Sequence, residues 1–458
     1  MESVPSPHAC GPASRTHVIL IPGFAGFDAL GQVHYYAGTS GVFRKWLSTQ
    51  QGTTRRTVLH YFDSLPSGAV ATRAERLHRY LSKRIARNEF QPDDRIVLVG
   101  HSTGGLDIRH LLMDLAKPGA SSVDGSAQDS IRITNEQILG MIRRVVFVST
   151  PHYGSNIVDD WLEHTTYVKR CISLALFGLH MSVFIPARTL QRFLGSKPEL
   201  DAWYAVQDTL LELRSAGKTD AATSADVREA FAQVTLWLRQ MASDFSVLTD
   251  LRTDQNAVKA EDDWPAGVIT RSYATVSPPP RGDRVGIITW LRTFVMNAST
   301  ASRVAQDALY RTAYEMTAKG GLERQIETPP EWFESPHADR RVCQVDDSSN
   351  DGIVNTASML WKHGGWTRLV LADHGDIIGH YRRDPQVHPG RGVSGRRFES
   401  YDFFKSGSEF DRATFEAVWK DIFTFSSQCL EDTRDVVPPP HTLRRDGLVR
   451  EVIATPKH

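Results

Sequence analysis

The run Arg95-Ile96-Val97-Leu98-Val99-Gly100-His101-Ser102-Thr103-Gly104-Gly105-Leu106-Asp107-Ile108-Arg109 constrains this chain more than any other. A β-branched and leucine-rich segment runs into Gly-His-Ser-Thr-Gly-Gly. An amphipathic pattern follows, carried by Leu106, Leu111, Leu112 and Leu115. This order predicts a strand, a sharp turn and a helix. In such a turn the serine stands at the tip, with its hydroxyl clear of the sheet. Gly100 and Gly104 leave out the Cβ atoms that would collide with neighbouring backbone. A bare Gly-x-Ser-x-Gly also fits an ordinary surface turn. The apolar strand before it and the amphipathic run after it mark a nucleophile elbow.

Other segments supply the sheet that an elbow needs. His17–Ile21 reads as a buried strand and breaks into Pro22-Gly23-Phe24-Ala25-Gly26-Phe27-Asp28. Thr57–Phe62 reads as a second strand. Val70, Ala74, Leu77, Leu81 and Ile85 recur at helical spacing after it. Arg144–Ser149 is a further buried strand, ending in Thr150-Pro151-His152-Tyr153-Gly154-Ser155. Gly267–Val276 and Thr367–Leu371 resume strand character late in the chain. Strands alternating with helical patterns predict an α/β fold, a mostly parallel sheet covered by helices.

The expected division is a disordered 1–16, a first core part 17–155 and a helical lid or cap insertion 156–265. A core strand 266–277, a second helical insertion 278–340, a second core part 341–428 and a loose tail 429–458 follow. The apolar patch Leu174–Ile185 in the first insertion includes Phe177 and Phe184. It reads either as a roof over an acyl pocket or as the insertion's own core.

Composition narrows the function classes. Lys+Arg and Asp+Glu both number 53 in 458 residues, so no net field favours nucleic acid or an anionic membrane. The most apolar window, Cys171–Ile185, is shorter than the roughly 18 residues expected of a membrane-spanning helix. The first fifteen residues have neither a charged nor an apolar region of the kind a secretion signal needs. The expectation is a cytoplasmic protein with no transmembrane segment and no nucleic-acid partner. Cys10, Cys171, Cys343 and Cys429 match no zinc spacing and read as free thiols.

A serine hydroxyl is too weakly acidic to attack an ester unaided, so it needs a base held by an acid. Asp351 lies in the turn-rich Asp346-Asp347-Ser348-Ser349-Asn350-Asp351-Gly352. His374 follows the last strand almost directly. On the residues alone, Asp346, Asp347 and Asp376 compete for the acid, and His101 and His380 for the base.

These segments resemble those of the α/β-hydrolase superfamily, and within it the bacterial triacylglycerol-lipase-like serine hydrolases. Ile21–Asp28 resembles the group's oxyanion loop, with Pro22 in place of its usual histidine. Gly100–Arg109 is similar to its Gly-His-Ser-x-Gly-Gly-Leu-Asp-x-Arg. Thr150–Ser155 resembles the segment before its lid, Asn350–Val354 its acid motif, and Asp373–Asp376 its His-x-Asp. The resemblance implies an α/β-hydrolase fold and a triad of Ser102, Asp351 and His374. It implies oxyanion donors in the backbone N–H groups of Phe24 and Thr103. The substrate implied is an ester or lipid, with transient contact to a lipid surface. No cofactor is required for that chemistry. The relatives' structural calcium uses the aspartate matched by Asp376 and a second, upstream aspartate with no clear match here. Acyl transfer and polyester depolymerisation use the same triad, and a lipid-binding protein on this fold would lack one of its members.

Overall fold

The computed structural model describes residues 14–26, 29–30, 33–50, 56–117, 133–163, 233, 236–237, 239–241, 243–254, 264–265, 267–280, 310–319, 345–346, 348–361, 367–381, 404, 406–428 and 450–453. The four cysteines, the patch Leu174–Ile185 and most of both insertions lie outside them.

The first strand, β1, spans Arg15–Ile21, and a short hairpin of β2 (Ala29–Leu30) and β3 (Val33–His34) follows. Then come α1 (Thr39–Thr49), β4 (Arg56–Tyr61), α2 (Val70–Ala86), β5 (Arg95–His101) and α3 (Thr103–Ala116). The order continues with α4 (Asn135–Met141), β6 (Ile142–Val148), α5 (Asn156–Glu163) and α6 (Ser246–Asp250). Next are β7 (Ile269–Val276), β8 (Thr367–Leu371), α7 (Arg412–Ser427) and β9 (Arg450–Ile453). The main sheet has the order β4-β1-β5-β6-β7-β8-β9, with all six pairings parallel.

Two boundaries differ from the sequence reading. Arg15 and Thr16, read as disordered, belong to β1. Arg15 is fixed by Asp94, which accepts both its backbone N–H at 2.7 Å and its guanidinium Nη2 at 2.8 Å. Arg450–Ile453, read as loose tail, pairs with β8 and extends the sheet. Neither pairing has a local sequence signal, because each depends on a partner far along the chain.

The alternation along the central strands explains how the sheet is covered. Ile19, Ile21, Ile96 and Leu98 face one layer, packed with Leu77 and Leu81 of α2 and Leu111 and Leu112 of α3. Val18, Leu20, Val97 and Val99 face the other, packed with Phe43 and Trp46 of α1 and Trp419 and Phe423 of α7. Both faces are therefore apolar, as parallel strands between two helical layers require. Each large side chain removed from water contributes about 1.5–3 kcal/mol. Among the described residues no helix is long and apolar enough to cross a membrane.

The topology sets where a site can form. From β1 the chain moves to one side for β4, then returns to the other side for β5. The strand order reverses between β1 and β5, which opens a crevice beyond their carboxyl ends. Pro22–Gly26 leaves β1 there, and Ser102 leaves β5 beside it.

Candidate active site

Ser102 joins β5 to α3 at φ 54° and ψ −130°, a conformation that costs a residue with a side chain of order 1–3 kcal/mol. Its N–H donates to the Val148 carbonyl at 2.9 Å, and its carbonyl accepts from Gly105 at 3.0 Å. The turn is held by glycine. A Cβ on Gly100 would lie 2.6 Å from the Gly105 nitrogen, and one on Gly104 would lie 2.5 Å from the Ile21 carbonyl oxygen. The Ser102 hydroxyl does not cap the helix it begins. Thr103 is the first residue of α3, so its N–H is among the helix's unpaired donors.

The loop after β1 lies directly against this turn. A Cβ on Gly23 would come within 2.5 Å of the Ser102 Cβ. Phe24 follows, which puts its backbone beside the serine. The Gly23 N–H donates to the Tyr35 hydroxyl at 2.8 Å, and that hydroxyl bonds His101 Nδ1 at 2.7 Å. His101 Nε2 lies 3.1 Å from the His374 carbonyl oxygen, which can only accept. Nε2 therefore carries the proton, and Nδ1 accepts from Tyr35. Burial pushes His101 well below the usual histidine range and keeps it neutral. His101, a competing base in the sequence, is thus a tie between the loop after β1 and the loop after β8.

Asp351 is fully buried and lies 2.7 Å from His374 Nδ1, which donates to its Oδ2. The His374 backbone N–H also donates to the Asp351 carbonyl at 3.0 Å. Gly352, at φ 95°, turns the chain so that Ile353 and Val354 donate their N–H groups back to Asp351 Oδ1, at 3.1 and 2.9 Å. The imidazole of His374 packs near that of His101, with ring centroids 4.6 Å apart. Among the described residues Asp351 and His374 are joined, whereas Ser102 and His374 share no hydrogen bond.

The competing residues have other partners. His380 Nε2 donates to the Tyr35 carbonyl at 3.0 Å and is buried. Asp346 accepts from the N–H and hydroxyl of Ser348 in its own turn, at 2.9 and 2.6 Å. Asp347 lies outside the described residues. Asp376 Oδ2 accepts from Ser408 Oγ at 2.7 Å and from the Asp373 N–H at 3.0 Å. Asp373 in turn accepts from the N–H groups of Gly375 and Asp376. These two carboxylates brace the His374 loop from within. Among the described residues no three acidic, histidine or cysteine side chains cluster as a metal cage would require. Asp376, the aspartate that the resemblance matches to a calcium ligand, has its Oδ2 engaged by Ser408 and by the Asp373 N–H.

Sequence reasoning missed Tyr35 and Arg73. Arg73 on α2 is fully buried, and its Nη2 donates to the Pro22 carbonyl at 2.8 Å. The available signal was a charged residue on the apolar face of α2, which demands a buried partner. That partner is Asp107.

Among the described residues, a seven-stranded parallel sheet, a reversal of strand order and a serine at positive φ at that reversal make an α/β-hydrolase fold. No protein-family model and no curated protein matches the chain. Among solved structures it is similar to EstA from Clostridium botulinum, at 18% identity and a TM-score of 0.42, covering 80% of this chain and 83% of that one. It is similar to lipase 1 from Pelosinus fermentans, at 14% identity and 0.43, covering 89% and 98%. Staphylococcus hyicus lipase aligns at 15% identity and 0.40, covering 81% and 91%.

Proposed function

We propose that this chain is a serine hydrolase of carboxylic esters, of the lipase or esterase kind. The observation that carries the reading is the Asp351–His374 pair, 2.7 Å apart with Asp351 fully buried, beside the turn that presents Ser102. His374 takes the Ser102 proton through Nε2 as Oγ attacks the ester carbonyl. Asp351 holds the Nδ1–H tautomer and offsets the charge the imidazole gains. The N–H groups of Phe24 and Thr103 stabilise the tetrahedral oxyanion, where one donor is worth about 3 kcal/mol. His374 then protonates the leaving alcohol. The C–O bond breaks, and an acyl group remains on Ser102. Water, activated by the same histidine, attacks the acyl carbonyl and restores the free serine.

The acyl chain has apolar surface to follow. Phe24, Ala25, Trp237, Met316 and Phe404 are partly buried and pack on the cluster formed by Val70, Leu106 and Leu248. Trp237 also donates its indole N–H to the Ala25 carbonyl at 3.1 Å, which ties the 156–265 insertion to the loop after β1. In this reading the described part of the insertion, around Trp237, belongs to a cap beside the acyl site.

The test uses a fluorophosphonate probe and a series of p-nitrophenyl esters of increasing acyl length. The expected result is labelling and hydrolysis by the native protein, both lost in Ser102→Ala with the melting curve unchanged. Absence of labelling would leave a lipid-binding protein. Turnover at the native rate in Ser102→Ala would refute the reading.

A further inference from the structure

Asp351 meets a fourth donor that the triad does not include. The Thr275 hydroxyl lies 2.6 Å from Asp351 Oδ2, the same oxygen that accepts from His374. With Ile353 and Val354 on Oδ1, this supplies one donor for each of the roughly four lone-pair directions of a carboxylate. Thr275 is itself fully buried, near the end of β7. Its oxygen also lies 2.8 Å from Ser149 Oγ and 3.3 Å from Met359 Sδ. A thioether is a weak acceptor, so the single Thr275 proton goes to the carboxylate. Ser149 must then donate to Thr275. Ser149 directly follows β6, fully buried at φ 48°, in a region that costs a residue with a side chain. The donor chain runs from Ser149 Oγ to Thr275 Oγ1 to Asp351 Oδ2, with His374 Nδ1 on the far side of the same oxygen.

We propose that Thr275, oriented by Ser149, is a positioning residue that sets how strongly Asp351 holds the proton on His374. This rests on the serine-hydrolase reading. Thr275 shares Oδ2 with the imidazole, so it draws off part of the negative charge that His374 feels. It also fixes the rotamer of Asp351 against the end of β7. Without its hydroxyl, Oδ2 keeps more charge and holds the imidazolium proton more tightly.

The experiment compares pH profiles of kcat/KM, with kcat and KM separated, for the full chain and for Thr275→Val, Thr275→Ser and Ser149→Gly. Thr275→Val is expected to lower kcat by about tenfold or more, the scale of one charge-assisted hydrogen bond, with KM little changed. Its acid limb should move to higher pH. Thr275→Ser, which keeps the hydroxyl, should restore both. Ser149→Gly accepts the positive φ and removes the donor to Thr275, so it should move the acid limb the same way by less. A folded Thr275→Val with native kcat and acid limb would overturn the proposal, as would a Thr275→Ser no better than valine. If Thr275→Val does not fold, an unmoved acid limb in Ser149→Gly overturns it. Ser102→Ala separates the two levels. Hydrolysis surviving in Ser102→Ala defeats the functional reading. Hydrolysis lost there, with native profiles in the other variants, defeats only the role of Thr275.

Discussion

Arg73 and Asp107 form an ion pair 2.9 Å long in which neither side chain is exposed to solvent. The pair joins α2 to α3, and the same Arg73 nitrogen holds the Pro22 carbonyl. Two charges are thus buried together at the root of the loop that faces Ser102. Arg73 Nη1 and Asp107 Oδ1 have no hydrogen-bond partner among the described residues. Burial pushes the Asp107 carboxyl up, and Arg73 opposes it. Such a pair adds little net stability over an apolar one, but breaking it on one side is costly.

Arg73→Met should therefore destabilise the protein by about 3–5 kcal/mol, because it strands a buried carboxylate. Adding Asp107→Leu should recover much of that loss. The double variant should still turn over slowly, since nothing then holds Pro22. Urea unfolding and kcat measured on both variants check this. Native kcat in the double variant would make the pair purely structural.

Gly23→Ala should impair catalysis more than stability. The new Cβ would meet the Ser102 Cβ at 2.5 Å, the Tyr35 hydroxyl at 2.8 Å and the His101 carbonyl at 2.9 Å. The loop must move away from the serine, taking the Phe24 N–H with it. A loss of about 10²–10³ in kcat is expected, the cost of one oxyanion donor. Steady-state kinetics beside a melting curve decides the matter.

His374→Ala and His380→Ala should separate cleanly. His374→Ala removes the proposed base and should lower kcat by about 10³-fold or more with the fold retained. His380→Ala removes the donor to the Tyr35 carbonyl from a buried site, so the melting temperature should fall while residual kcat stays far higher. A larger kcat loss in folded His380→Ala would reverse the assignment.

Acid should destabilise the far end of the sheet. His17 Nε2 donates to Asp94 at 3.0 Å, so its Nδ1 accepts from His60 Nε2 at 2.9 Å. Burial, then the charges of His17, Arg84 and Arg15, lower His60 from 6.5 to about 4. His17 is lowered too, chiefly by burial. The unfolded chain takes up these protons first as pH falls. Their contribution is complete above pH 6.5 and is lost progressively as pH falls toward about 4. His60→Gln keeps a donor for His17 but does not titrate. Its melting temperature should fall less steeply than that of the native protein over this window. Parallel curves would show that His60 does not control acid stability.

The elbow was legible in the sequence because all its determinants are local. An apolar strand, two glycines and an amphipathic helix are specified within fifteen residues, and backbone sterics allow few turns that join them. The parallel sheet was legible for a related reason: strands buried on both faces must be apolar throughout. Asp351 and His374 were visible as a turn-borne carboxylate and a histidine beyond a strand. The residues alone did not choose them over Asp376 or His380, because that choice depends on which side chains face each other. Tyr35, Arg73 and Thr275 carried no motif at all. Thr275 meets Asp351 across 76 positions of chain, and His101 reaches His374 across 273. Only the tertiary structure brings those groups together. Buried polar groups must find partners, and which partner each one finds is fixed by the packing of the strands that carry them.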